Sequence, residues 1–182
     1  TVIIARDSRP TGAALLKEAV TAFAAAGNTS AATSSAALAV QSVGIAAAPE
    51  IMAYARSAGA AFMYISASHN PIGHNGFKFG LDTGGVLDGT QSARLIALFT
   101  QKCAAAHQDT AAVLRKQAAP APVQAVFEAE AAHKQAALTA YQNFLQEVIA
   151  DSKDSAEQAR FFDGIRAQCT ALAAAGKPFT LV

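Results

Sequence analysis

At 182 residues the chain is long enough for one ordinary domain, or for one domain and part of another. Hydrophobic residues make up 52% and charged residues 15%, a balance that builds a core and excludes a disordered tail. A net charge of +1, with 14 Lys and Arg scattered and no basic run, excludes the electrostatic footprint of a nucleic-acid binder. Cys103 and Cys169 lie far apart and outside any CxxC pattern, so they make no disulfide framework, and a reducing cytoplasm is the expected location. The apolar stretches are Ala-rich and broken by Gly, Ser or charge, so no membrane span is expected. Thr1 leads straight into a strand pattern without a signal peptide, and Lys177 to Val182 reads as a strand cut off as it begins; both ends read as truncated.

In chain order, Val2-Ile3-Ile4-Ala5 is a β-branched run that predicts a buried strand. Arg6 to Gly12 is a polar turn, and Thr11 is placed to cap a helix over Ala13 to Ala26 that Gly27 stops. Asn28 to Ser35 reads as a small-residue loop. Ala37 to Ile45 predicts a second strand, interrupted at Gly44. Pro49 suits the first turn of a helix ending near Gly59, and Ala60 to Ile65 predicts a third strand with Phe62, Met63 and Tyr64 in the core. A dense cluster of turn formers, Ser66 to Gly76, follows at that strand's carboxyl end, where open α/β sheets bind their ligands. Phe77-Lys78-Phe79 reads as a fourth strand running back, broken at Gly84-Gly85, and a helix over Asp88 to Cys103 follows. Ala104 to Pro122 reads as a connector. Val123 to Ala150 and Ser155 to Ala175 read as helices, and Pro178 to Val182 as the first strand of a second domain. The fold class expected is α/β: a three-layer α/β/α domain with a mixed sheet over 1–105, then helices over 106–182 leading into a truncated second domain.

The chemistry concentrates in Ser66-Ala67-Ser68-His69-Asn70-Pro71, followed by Asn75-Gly76-Phe77-Lys78. A serine in a tight turn at a strand end is exposed and held in place. His69 exchanges a proton near neutral pH, Asn70 offers an amide to the loop or to a substrate oxygen, and Pro71 keeps Asn70 extended. Lys78 supplies a cation if its strand folds back, and a serine beside a cation and clustered backbone N–H groups is suited to carrying a phosphoryl group. A plain surface turn accounts equally for the hexapeptide. A Ser-His hydrolase is disfavoured, because there is no G-x-S-x-G elbow and His69 is adjacent to Ser68 in sequence. His74 reads as solvated and Asp82 as a turn residue; Asp7 reads as ordering its own loop. His107 and His133 read as exposed, and Glu128, Glu130 and Glu147 as a solvated helix face.

Ser66 to Pro71 resembles the phosphoserine loop of the α-D-phosphohexomutases, phosphoglucomutase and phosphomannomutase among them, in which T/S-A-S-H-N-P carries the phosphoserine at its third position, here Ser68. Three further segments agree in order and spacing. Asn75-Gly76-Phe77-Lys78 resembles N-G-x-K, Arg6 to Gly12 resembles D-x-R-x-S/T-G, and Gly44 to Pro49 resembles G-x-x-x-T-P. Ala5 stands where the family often has Gly, and Ala48 where it has Thr.

The resemblance covers Val2 to Cys103 and implies an isomerase. In that family the phosphoserine donates its phosphoryl group to a hexose monophosphate, a bisphosphorylated sugar forms and turns around, and the other phosphoryl group returns to serine. Carried over, Ser68 is the phosphoryl carrier, and an oxygen of its phosphate binds Mg²⁺. His69 and Lys78 serve proton transfer and charge stabilisation. Asn70 belongs to the phosphate loop. Arg9 holds that loop or a phosphate, or forms an ion pair with Asp7. The partners implied are hexose monophosphate and bisphosphate, with neither nucleic acid nor membrane. The family's D-G-D-x-D metal loop, sugar-selecting loop and second phosphate-binding loop are not found in this sequence, so the chain alone is expected not to complete a cycle. The alternative is a non-catalytic phosphosugar-binding or regulatory module.

Overall fold

The computed structural model describes residues 1–29, 38–105 and 118–177. The chain divides into two units, Thr1–Tyr141 and Gln142–Val182. In the first, a four-stranded sheet has the order β2-β1-β3-β4, formed by β1 (Val2–Arg6), β2 (Val40–Ile45), β3 (Ala61–Ile65) and β4 (Phe77–Gly80). β1 pairs in parallel with β2 and with β3, while β4 returns antiparallel to β3, so the sheet is mixed. Strand alternation divides the core between the two faces. Ile3, Ala5, Phe62 and Tyr64 pack on one side against helix α2 (Ala48–Ala58). Ile4, Met63 and Ile65 pack on the other against α1 (Gly12–Thr29). The expected three-layer α/β/α architecture is what the structure shows, and Phe62, Met63 and Tyr64 are buried as expected.

Local differences have local causes. α1 continues through Gly27, because a single glycine costs a helix only about 1 kcal/mol. β2 does not stop at Gly44. The register to β1 steps from Ile4↔Ser42 to Ala5↔Gly44, leaving Val43 as the extra residue of a bulge, and Gly44 takes the left-handed φ of +68° that the bulge requires. α2 begins as expected, with Pro49 in its first turn and Glu50 reaching back to the amide of Ala47, and it ends on left-handed Gly59. Helix α3 (Gly89–Ala105) is capped by Asp88, which accepts from the amide of Gln91 while the Gln91 side chain accepts from the amide of Asp88. Asn28 and Thr29, expected in a loop, end α1 instead. The rest of that loop reading, 30–35, and the strand reading for 178–182 lie outside the described residues, as does His107.

The helical stretch after the connector is two helices, α4 (Pro120–Glu128) and α5 (Glu130–Ala150), separated at Ala129. Within the first unit α4 lays Val123, Val126 and Phe127 against the α1-side core. The opening turns of α5 reach the other side, where Ala137 is fully buried. Polar pairs fix that docking: the Ser42 hydroxyl donates to Glu130, and the Lys134 ammonium donates to buried Glu50 and to the carbonyl of Ile45. Glu130 is therefore not merely a solvated face. His133 is partly buried rather than exposed, and its Nδ1 is buried without a partner among the described residues. Lys134→Met leaves the Glu50 carboxylate, whose side chain is only 6% exposed, without its cation. Denaturant melts should show a loss of about 2 kcal/mol, below the usual cost of breaking a buried pair because water reaches Lys134, and adding Glu50→Gln should restore part of it.

In the second unit, helix α6 (Ser155–Ala174) starts on Asp154, whose carboxylate accepts from the amides of Ala156 and Glu157. Among the described residues no helix is long and apolar enough to cross a membrane.

Candidate functional site

The Ser66–Gly76 loop leaves β3 at its carboxyl end, and the sheet ladder extends into it. The amide of Asp7 donates to the carbonyl of Ile65, and the amide of Ser66 donates to the carbonyl of Gly76, both at 2.9 Å. Ser66 and Ala67 are buried, and the chain then breaks out to the surface, with Ser68 through His74 all exposed. Ser68 holds φ at +56°, a left-handed conformation that only Asp151 shares among the described non-glycine residues. Its amide is pinned by the Ser66 hydroxyl oxygen at 3.2 Å.

The loop closes around Arg9. Its two terminal nitrogens donate to four backbone carbonyls: Ser68 at 2.8 Å, Asn70 at 2.7 Å, Pro71 at 2.6 Å and His74 at 3.3 Å. Its Nε donates to Asp7 at 3.1 Å, so all five guanidinium N–H donors are engaged. The three options open for Arg9 in the sequence resolve geometrically: it binds the loop and Asp7 together, with no donor left over for an anion. Asp7 also accepts from the amide of Arg9 and from the Ser66 hydroxyl. A second tie sits at the far end of the loop, where the Asn75 side-chain Nδ2 donates to Thr11 Oγ1 and its side-chain oxygen accepts from the backbone amide of Gly76. Thr11, expected as a helix cap, thus gives its hydroxyl to the loop.

Around this frame the predicted chemical groups are left available. Among the described residues the Ser68 hydroxyl, the His69 ring, the Asn70 side chain and the Lys78 ammonium make no hydrogen bond or ion pair, and all four residues are exposed. Lys78 lies on β4 opposite Tyr64, back along the ladder from the Ser66–Gly76 pair. It also lines a cavity of about 970 Å³ over β3 and β4 between α1 and α3, and neither that cavity nor a second of about 590 Å³ near Arg6, Gly44 and Lys134 is lined by Ser68, His69 or Asn70. The serine loop is a surface feature. No group of three or more His, Cys, Asp or Glu side chains among the described residues could hold a metal ion.

Burial opposes ionisation of Asp7, yet the Arg9 amide, the Ser66 hydroxyl and the Arg9 charge outweigh it and hold the carboxyl below its ordinary range. A carboxyl with a lowered folded pKa contributes stability that is present above its unfolded pKa and lost as pH falls through the folded value. The loop should therefore loosen on acidification below about pH 4, the ordinary carboxyl value. Proteolysis of the loop followed against pH should show this step in the parent, and Asp7→Asn should cut readily already at pH 7.

The turn expected after the third strand is there, with Ser68 exposed on it. Sequence reasoning missed Ser66 as the link between Asp7 and the Ser68 amide; a hydroxyl placed directly after a strand pattern was the available signal. Residues 1–105 match the family model for phosphoglucomutase/phosphomannomutase, alpha/beta/alpha domain I. No curated protein matches the chain.

Proposed function

The chain belongs to the phosphoglucomutase/phosphomannomutase family, and from that premise we propose that Ser68 carries the phosphoryl group a mutase moves between C1 and C6 of a hexose phosphate. The observation that carries this reading is an exposed Ser68 hydroxyl without a partner among the described residues, at the carboxyl end of a strand, on a backbone held by Arg9. Phosphoryl transfer asks mainly for positioning and charge stabilisation, and the fixed loop supplies the positioning.

In the forward half, a sugar hydroxyl oxygen attacks phosphorus on phosphorylated Ser68. The new P–O bond forms as the bond to Ser68 Oγ breaks, the sugar hydroxyl loses its proton, and Oγ takes one up. In the return half the Ser68 hydroxyl gives up its proton and Oγ attacks the other phosphoryl group of the bisphosphorylated sugar; the bond from that phosphorus to the sugar oxygen breaks, and the leaving sugar oxygen is reprotonated. His69 is the candidate for moving these protons, and Lys78 for balancing charge on the phosphoryl oxygens; the Asn70 side chain is free to meet a substrate oxygen. A hexose monophosphate and its bisphosphate are the substrates this reading takes. Mg²⁺ fits it through a single ligand, an oxygen of the Ser68 phosphate, and when bound it would neutralise phosphoryl charge. Its carboxylate ligands would come from outside the described residues. Because the loop stands open to solvent, this reading also needs a further wall to exclude water, so the described part is not expected to turn over by itself.

The test is incubation of the full gene product with a hexose 1,6-bisphosphate, then peptide mass spectrometry. Phosphate on the Ser68 peptide, removed again by excess hexose monophosphate, is the expected result. A Ser68 that stays unmodified overturns the reading and leaves a non-catalytic phosphosugar-binding module.

A further inference from the structure

We infer that Arg9 is a positioning residue that sets the polarity of the serine loop: by drawing loop carbonyls inward, it turns the following amide N–H groups outward as the face that meets a phosphoryl group. The inference rests on the phosphoryl-carrier reading for its function, but its geometry stands by itself.

The argument starts from the peptide unit. In a planar trans peptide the carbonyl of one residue and the N–H of the next point in opposite directions, and the described chain contains no cis bond. The carbonyls of Ser68, Pro71 and His74 point at the Arg9 guanidinium. The amides of His69, Ile72 and Asn75 must therefore point away from it. None of the three donates to another group among the described residues. Asn70, whose carbonyl is the fourth drawn inward, is followed by Pro71, which has no N–H to turn outward. The His69 amide directly follows Ser68, so it is the donor nearest in the chain to the hydroxyl. The loop is thus acceptor-lined inside and donor-lined outside.

The device needs a guanidinium. Five N–H donors in a planar fork satisfy four carbonyls and Asp7 together, whereas an ammonium has three donors and no fork. Asp7 orients the fork from behind, through Arg9 Nε and the Arg9 amide. With all its donors engaged in the protein, Arg9 touches no substrate, so it acts only through the loop.

The test compares parent, Arg9→Lys and Arg9→Met in the full gene product. The measurements are kcat and KM for hexose monophosphate, and hydrogen exchange of the Ser66–Gly76 peptide. We expect kcat to fall on the order of 100-fold in both variants, the scale of a misplaced reacting group, with KM changed less than about threefold. The amides of Ser68, Asn70 and His74, which are hydrogen-bonded inside the loop, should exchange faster in both variants. Thermal melts near that of the parent would confirm that the fold persists. A raised KM with kcat kept, together with rescue by Arg9→Lys, would make Arg9 a direct phosphate contact and overturn the inference. Unchanged exchange in both variants would overturn it as well. If the parent takes no phosphate while loop exchange still rises in the variants, the carrier reading fails and the clamp stands.

Discussion

Ser68→Gly should abolish phosphoryl transfer while the protein melts at or above the temperature of the parent. The two halves of that expectation have separate causes. The hydroxyl is the only part of Ser68 that can hold a phosphoryl group, and loss of a covalent carrier removes the route itself; a drop of about 1,000-fold or more in mutase turnover is expected. Stability moves the other way. Ser68 sits at φ +56°, where a side chain costs on the order of 1 kcal/mol and glycine costs nothing sterically. The residue is exposed and its side chain makes no hydrogen bond among the described residues, so removing it opens no cavity and orphans no partner. Glycine also frees the unfolded chain, which limits the gain. Ser68→Ala should be equally inactive but less stable than Ser68→Gly, because it keeps the Cβ. Coupled mutase assays and thermal melts on the three proteins separate the cases. Turnover retained in Ser68→Gly would rule Ser68 out as the carrier. A large fall in melting temperature would mean instead that the serine serves the fold.

What the sequence revealed and what it hid divide along sequence separation. The strands announced themselves through β-branched and aromatic runs, and the loop through clustered Asn, Pro and Gly, all signals contained within a few residues. Even the left-handed end of α2 was marked by Gly59. The contacts that make the loop a device were not local. Arg9 meets Ser68, Asn70, Pro71 and His74 across 59 to 65 positions, and no pattern around Arg9 distinguishes a loop clamp from a phosphate ligand. Glu130 and Lys134 illustrate the same limit. Their acidic and basic spacing is what a solvated helix shows, yet they reach Ser42 and Glu50 from 88 and 84 residues away. Only the folded sheet edge, with Ser42 fully buried and Gly44 bulged, gives those charges a reason.

Gly80→Ala should destabilise the first unit by about 3 kcal/mol or more, the upper range for overpacking a closed core. A Cβ at Gly80 would lie 2.1 Å from Phe62 Cε1, 2.2 Å from its Cζ and 2.5 Å from the Gly85 carbonyl oxygen. Gly80 is the register partner of Phe62, and the Phe62 ring fills the space its missing side chain leaves. Neither neighbour can yield cheaply. Phe62 is 2% exposed, locked into the α2-side core, and the Gly85 carbonyl is backbone that accepts from the amide of Leu81 to close the turn after β4. The clash should be relieved on the aromatic side: Phe62→Leu should cost stability alone but regain part of the loss when combined with Gly80→Ala, a coupling that a double-mutant cycle measures directly. Additive losses would show that the turn, not the ring, sets the cost. The consequence reaches the serine. β4 pairs with β3, and the same ladder continues to the Ser66–Gly76 bond that holds the loop's exit. A variant that forces β4 away from Phe62 should therefore lose phosphoryl transfer at temperatures where most of the fold persists, although Gly80 lies outside the loop.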